Sequence, residues 1–228
     1  MPRGGDGRVE TAGLAHEREL AARGCRLIAG VDEVGRGAWA GPLVAAAVIL
    51  PPPADDAVAA ALMARLAGVR DSKLLSPARR EALRTEIERV ALGIGLGAVG
   101  AAELDRLGLG AANREAHRRA VAALPLCPDY LLLDAFPLPD APAPQRAIVR
   151  GDQVSLSIAA ASIVAKVTRD RALGALDTDY PLYGFGRHKG YGTPDHRAAL
   201  RRHGPCCEHR RSFAPLREPL SALADEPD

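Results

Sequence analysis

The sequence predicts an α/β layer fold: a mixed central sheet flanked by helices, with a small helical cap near the C-terminal end. Three observations carry this. Short apolar runs of strand length lead the chain and helical segments dominate its second half, with no internal repeat. At 228 residues and 47% hydrophobic content, the chain is long enough to bury one large core. Aromatic residues are only 4%, so Ala, Val, Leu and Ile must fill that core, and helices and strands must approach closely.

Residues 1–23 read as a loose arm followed by a short polar helix. Arg26 to Val31 form a first strand, Gly41-Pro42 punctuates, and the apolar run Leu43–Leu50 is a second, buried strand bounded by Pro51, Pro52 and Pro53. Their closeness in sequence predicts a hairpin. Asp71-Ser72-Lys73 lies in a loop. Ser76-Pro77 starts a helix that runs to about Val90, with serine as the cap and proline at the first helical position. The run 92–99 is a third strand, followed by helices at about 101–106 and 111–123. Tyr130 to Asp134 is a short buried strand ending in an acid, and the four prolines between Phe136 and Pro144 make a loop. Ala147 to Val149 is a last short strand. A long helix from Ser155 to about Leu176 carries a face of small residues, 188–193 is a Gly-rich basic loop, and a helix runs from Pro194 to about Arg202.

Composition narrows the function classes. No apolar run approaches the ~20 residues that cross a bilayer, and MPRGGDGRVE has no signal-like stretch, so a cytoplasmic protein with no membrane association is expected. The four cysteines form no C-x-x-C pair, which points to neither a zinc site nor a disulfide framework. Net charge is only +2, but residues 187–211 concentrate seven Lys or Arg and four histidines against Asp195 and Glu208. The histidine spacing there matches no familiar zinc-ligand set.

Four carboxylates stand where a site could form. Asp32 and Glu33 follow the first apolar strand, Asp134 ends a buried strand, and Asp152 precedes the long helix. In open α/β sheets, sites gather where strands end. An acid there is expensive to desolvate without a compensating cation, and a hard divalent ion is one such cation. Adjacent strand residues face opposite ways, so Asp32 is the firmer ligand. Gly35 and Gly37 suggest a strand ending or bulging so as to re-aim Glu33. Taken singly, each acid is more often a cap, turn former or ion-pair partner, and Asp152 could simply complement the helix after it. Gly35 to Ala40 formally match the dinucleotide fingerprint G-x-G-x-x-A. That fingerprint opens a helix, whereas here Gly41-Pro42 and a strand-like run follow. A Gly-Arg-Gly loop can still approach a phosphate closely.

These residues resemble a family. Ala29 to Gly37 is similar to the opening signature of ribonuclease HII, the bacterial type 2 ribonuclease H. Asp71-Ser72-Lys73-Leu74-Leu75-Ser76, Leu132-Leu133-Asp134, Gly151-Asp152 with 157–167, Tyr183-Gly184-Phe185, His188 to Thr193, and His209 to Phe213 resemble its further motifs, in family order. Arg150 and Val154 stand where the family more often has lysine. The resemblance implies a ribonuclease H-like sheet and a catalytic domain spanning 24–217, cap included, between an arm at 1–23 and a flexible acidic tail at 218–228. It implies a metal cluster of Asp32, Glu33, Asp134 and Asp152 holding Mg²⁺ or Mn²⁺. Gly35, Arg36 and Gly37 would sense the ribonucleotide's 2′-OH, Tyr191 would pack on the neighbouring sugar, and Lys73 and Lys189 would contact phosphates. The expected substrates are RNA–DNA hybrids and DNA containing ribonucleotides, and a monomer is expected.

Overall fold

The computed structural model describes residues 12–217. The first part of the expected arm and the expected acidic tail from 218 lie outside the described residues.

Five strands form one sheet: β1 (Ile28–Val34), β2 (Leu43–Ile49), β3 (Gly93–Val99), β4 (Tyr130–Asp134) and β5 (Gln145–Ile148), in the order β3-β2-β1-β4-β5. The first three pair antiparallel, and β4 and β5 add on in parallel, so the sheet is mixed as expected. The β1–β2 hairpin is present. Its register is unbroken from Ala29↔Ile49 to Val34↔Val44, so the expected ending or bulge beside Glu33 does not occur. β1 runs straight through both acids and stops only at Gly35, whose φ of 93° a side chain would resist. β5 begins two residues earlier than the sequence predicts.

The helices are α1 (Ala15–Ala22), α2 (Asp56–Arg65), α3 (Pro77–Val90), α4 (Ala101–Leu107), α5 (Leu109–Ala122), α6 (Gly151–Val154), α7 (Leu156–Asp179), α8 (Phe185–His188), α9 (Pro194–His203) and α10 (Ala214–Arg217). The sequence reading did not find α2, because alanine and polar residues blur its apolar stripe; Asp55 caps it by accepting from the Val58 amide.

The alternation of strand side chains sorts the core into two layers. Ala46 and Val48 of β2 face α7, with α2 and α3 behind it, whereas Ala45, Ala47 and Ile49 face α5. The first ten residues of α7 are buried on every side, so this helix is a central element between sheet and outer helices. Its small residues let it lie on β1. A Cβ on Gly30 would sit 2.1 Å from the Ser157 carbonyl carbon.

Two features bind the ends of the described segment to this frame. Helix α1 is docked rather than loose. Buried Glu17 accepts from the Ser155 hydroxyl (2.6 Å), the Ser157 hydroxyl (2.7 Å) and the Ser157 amide (3.0 Å) at the start of α7. The C-terminal cap forms a separate apolar cluster in which Tyr183, Phe185 and Leu200 pack with Ala40 and Leu173.

Candidate active site

Register decides where the acids point. Val31 of β1 pairs with Leu133 of the parallel β4, so Asp32 and Asp134, one residue further on, lie side by side on the same face of neighbouring strands. That side faces α7, because Ala29, Val31, Leu131 and Leu133 all belong to the α5 layer. Asp134 then fixes the fourth acid. Its Oδ1 accepts the Gly151 amide at 2.7 Å, which holds the turn of α6 and places Asp152 beside it. Asp32, Asp134 and Asp152 thus converge although they are far apart in the chain.

Glu33 points to the opposite face, toward α5, as regular alternation requires. There its Oε2 lies 2.8 Å from Nε2 of His117, and its Oε1 accepts from Arg36 at 3.3 Å. It remains close enough to Asp32 and Asp134 to raise the pKa of both.

The electrostatics are those of crowded, poorly solvated negative charge. Burial, then repulsion from Glu33 and Asp134, pushes Asp32 well above the usual carboxylate range. Burial also raises Asp134, opposed by the Gly151 hydrogen bond. Asp152 is raised to about 6 by burial, by the charges of Asp71 and Asp134, and by a hydrogen bond with Asp71. Glu33 moves the other way: burial would raise it, but His117 and Arg36 outweigh that and lower it. Lys73 is the cation facing the cluster. Burial works to lower its pKa, but Asp71, Asp32, Asp152 and Asp134 raise it.

This donor set suits a hard divalent ion, being all oxygen and short of positive charge. As the side chains stand, no group of three or more Asp, Glu, His or Cys among the described residues is gathered tightly enough to hold an ion. The reason is local: Asp134 is turned to the Gly151 amide, Asp32 accepts the Glu33 amide at 2.7 Å, Asp152 bonds Asp71, and Glu33 bonds His117. The fit therefore rests on donor chemistry and on unrelieved charge.

The remaining expected residues fall into two places. Gly35, Arg36 and Gly37 form the loop after β1; a Cβ on Gly37 would meet open space, and the Arg36 guanidinium stacks 4.8 Å from the Phe136 ring centroid. Tyr191 is 36% exposed on the cap, tied to that loop through the Trp39 amide, which donates to the Gly190 carbonyl at 2.8 Å. Lys189 is not in the carboxylate cluster. Its ammonium donates to the Asp170 carbonyl (3.2 Å) and lines a groove of about 470 Å³ with Arg80, Lys166, Arg171 and Arg187.

Sequence reasoning missed three participants. Asp71 was visible in Asp71-Ser72-Lys73 but indistinguishable from a turn former. Ser162 reaches Asp32 and Ser72 from α7. His117 was the most legible, a lone imidazole on the buried face of α5 beside Ala112, Asn113, Ala116, Ala120 and Val121.

A mixed five-stranded sheet with helices on both faces and carboxylates at neighbouring strand ends defines an α/β protein with the ribonuclease H fold. The ribonuclease H2 of Pyrococcus horikoshii OT3 superposes with a TM-score of 0.68 at 26% identity, over 88% of this chain and 100% of that one. The family model for ribonuclease HII matches residues 29–216, and the chain belongs to the ribonuclease HII family. It is 55% identical over 207 residues to the ribonuclease HII of Geobacillus thermodenitrificans strain NG80-2, covering 91% of this chain and 76% of the relative. It is 51% identical over 207 residues to that of Chloroflexus aggregans strain MD-66 / DSM 9485, covering 91% and 95%. It is accordingly an endonuclease of the ribonuclease H type, and among the described residues no helix is long and apolar enough to cross a membrane.

Proposed function

We propose that this chain hydrolyses the RNA strand of RNA–DNA hybrids, and DNA at embedded ribonucleotides, leaving 3′-hydroxyl and 5′-phosphate ends. In this reading Asp32, Glu33, Asp134 and Asp152 hold Mg²⁺ or Mn²⁺. The observation that carries it is the convergence of Asp32, Asp134 and Asp152, each with a raised pKa, at one end of the sheet.

When bound, a pair of divalent ions supplies an activated water and relieves charge on the phosphoryl and leaving oxygens. The chain's own groups do the rest. Lys73 brings a cation to the edge of the cluster, suited to a backbone phosphate. The loop at Gly35-Arg36-Gly37 lets backbone amides approach a nucleotide where a side chain would intrude, and Arg36 extends a guanidinium from the same loop. Only the 2′-OH separates RNA from DNA locally, so a reader at this loop supplies selectivity. Tyr191 offers a half-exposed ring for an adjacent sugar.

The test is a gel of labelled duplexes (all-DNA, RNA–DNA, and DNA with one ribonucleotide) in Mg²⁺ and in EDTA. Cutting confined to ribonucleotide-containing duplexes, and lost in EDTA, is expected. Asp134→Asn keeps an oxygen for the Gly151 amide and removes the charge, so it should abolish cutting while thermal stability holds or rises. Cutting of branched all-DNA junctions instead, or full activity in Asp134→Asn, would overturn the assignment.

A further inference from the structure

The two largest fully buried side chains in the described structure are arginines, Arg169 on α7 and Arg210 in the segment after α9, each 0% exposed. Among the described residues neither forms an ion pair with a carboxylate. Every donor of theirs that is placed goes to a backbone carbonyl. Arg169 donates to Pro42 (2.8 Å), Lys189 (2.8 Å) and Ala40 (3.0 Å). Arg210 donates to Gly35 (2.6 Å), Arg36 (3.2 Å) and, through two nitrogens, Gly41 (3.1 and 2.9 Å).

Two features show that these contacts shape the loops. A Cβ on Gly35 would sit 2.2 Å from Nε of Arg169, and one on Gly190 would sit 2.3 Å from the Ala40 carbonyl oxygen and 3.4 Å from Nη2 of Arg169. Both glycines have positive φ, 93° and 78°. The loops after β1 and around residue 190 are folded onto the two guanidinium groups, which the Tyr191 ring (5.5 Å from Arg169) and the Phe213 ring (5.4 Å from Arg210) cover.

Burying two like charges without an ion-paired acid is unfavourable, and burial lowers the pKa of both, Arg210 to about 9, against the more distant charges of Asp170 and Asp105. A scaffold that needed only packing would be served better by apolar side chains. A planar fork of donors can, however, hold carbonyls from several segments in one fixed geometry. Drawing the Gly35 and Arg36 carbonyls inward commits the loop to a single conformation.

We infer that Arg169 and Arg210 are positioning residues for recognition of the scissile nucleotide, gripping from beneath the two loops that meet it. This rests on the proposed role of residues 35–37 and 191. It assigns the rigidity of that reader to two side chains that touch neither substrate nor metal.

The test uses Arg210→Lys and Arg169→Lys, which keep the charge and lose the fork. On a duplex with one ribonucleotide, kcat should fall by up to about 100-fold, as a misplacement of about 1 Å produces. In EDTA, the preference for that duplex over all-DNA should shrink, while the salt dependence of binding stays unchanged because the charge is kept. Leu62→Ala, a core truncation on the buried face of α2, serves as a destabilised control that retains kcat. Wild-type kcat and preference in both lysine variants would overturn the inference and leave the proposed function standing; a wild type that cuts no ribonucleotide-containing duplex would overturn the function itself. Should neither variant fold, the Nε–H resonances of Arg169 and Arg210 in the wild type decide. They should shift more with the ribonucleotide duplex than with all-DNA, and equal shifts would overturn the inference.

Discussion

Gly30→Ala probes the contact that brings α7 to the acids. Gly30 shares a strand and a face with Asp32, two residues on. The added Cβ would lie 2.1 Å from the Ser157 carbonyl carbon, 2.3 Å from the Ile158 nitrogen and 2.4 Å from the Ser157 oxygen. All three are helix backbone atoms, so no rotamer change relieves the clash. Ordinary contacts lie at about 3.5–4.0 Å, so α7 must retreat by roughly 1.5 Å. Overpacking typically costs about 1–3 kcal/mol, and a backbone clash belongs at the upper end. For a domain of this size that is a Tm loss of roughly 6–12 °C. The retreat also carries Ser162 away from Asp32, so specific activity of the folded fraction should drop as well. The comparison is Gly95→Ala, whose Cβ would lie 2.1 Å from the Ala120 carbonyl oxygen on the opposite face. It should lose similar stability with a smaller effect on cutting. Thermal unfolding by circular dichroism and hybrid cleavage at 25 °C measure both. A Gly30→Ala protein that melts within about 2 °C of wild type, with unchanged activity, would refute the claim that bare helix-to-strand contact sets this site.

Two further predictions concern the elements that hold the frame. Glu17→Ala strands three donors at the start of α7 and should cost about 2–4 kcal/mol, read as a lower urea midpoint, whereas Glu17→Gln keeps the accepting oxygen and should lose much less. In the cap, Nε2 of His196 and Nε2 of His209 are 3.0 Å apart, and burial holds the two rings down to about 3 and about 4. Both values lie below the unfolded 6.5, so the unfolded chain takes up protons first as pH falls. The stability these rings contribute is therefore complete above about pH 6.5 and lost on the way down, at up to about 1.4 kcal/mol per pH unit for each ring. His209→Gln should shallow that slope between pH 6 and 4 by about one proton in urea titrations; an unchanged slope would show that the pair does not titrate with folding.

The sequence was most informative where one local rule dominates. Ser76-Pro77 marks the start of α3, the uninterrupted apolar run marks β2, and the acid after Leu133 marks a strand end. It was least informative where side chains meet across the fold. Alternation correctly warned that Asp32 and Glu33 face opposite ways, but a bulge was the wrong remedy. The unbroken β1–β2 register leaves Glu33 on the α5 face, and His117, 84 positions away, receives it. Helix α2 escaped notice because an alanine-rich amphipathic stripe carries little contrast.

Local sequence therefore specifies the inventory: most of the elements, the acids at or near strand ends, the glycines where the chain turns, and family membership through motifs in order. Tertiary structure decided the rest. It chose which face each acid presents and made α1 a brace for α7. It also set two arginines, distant in sequence from the loops they hold, beneath both of those loops. The physical reason is that strand period and cap chemistry are local, whereas desolvation and hydrogen-bond partnership depend on neighbours that only the packed chain supplies.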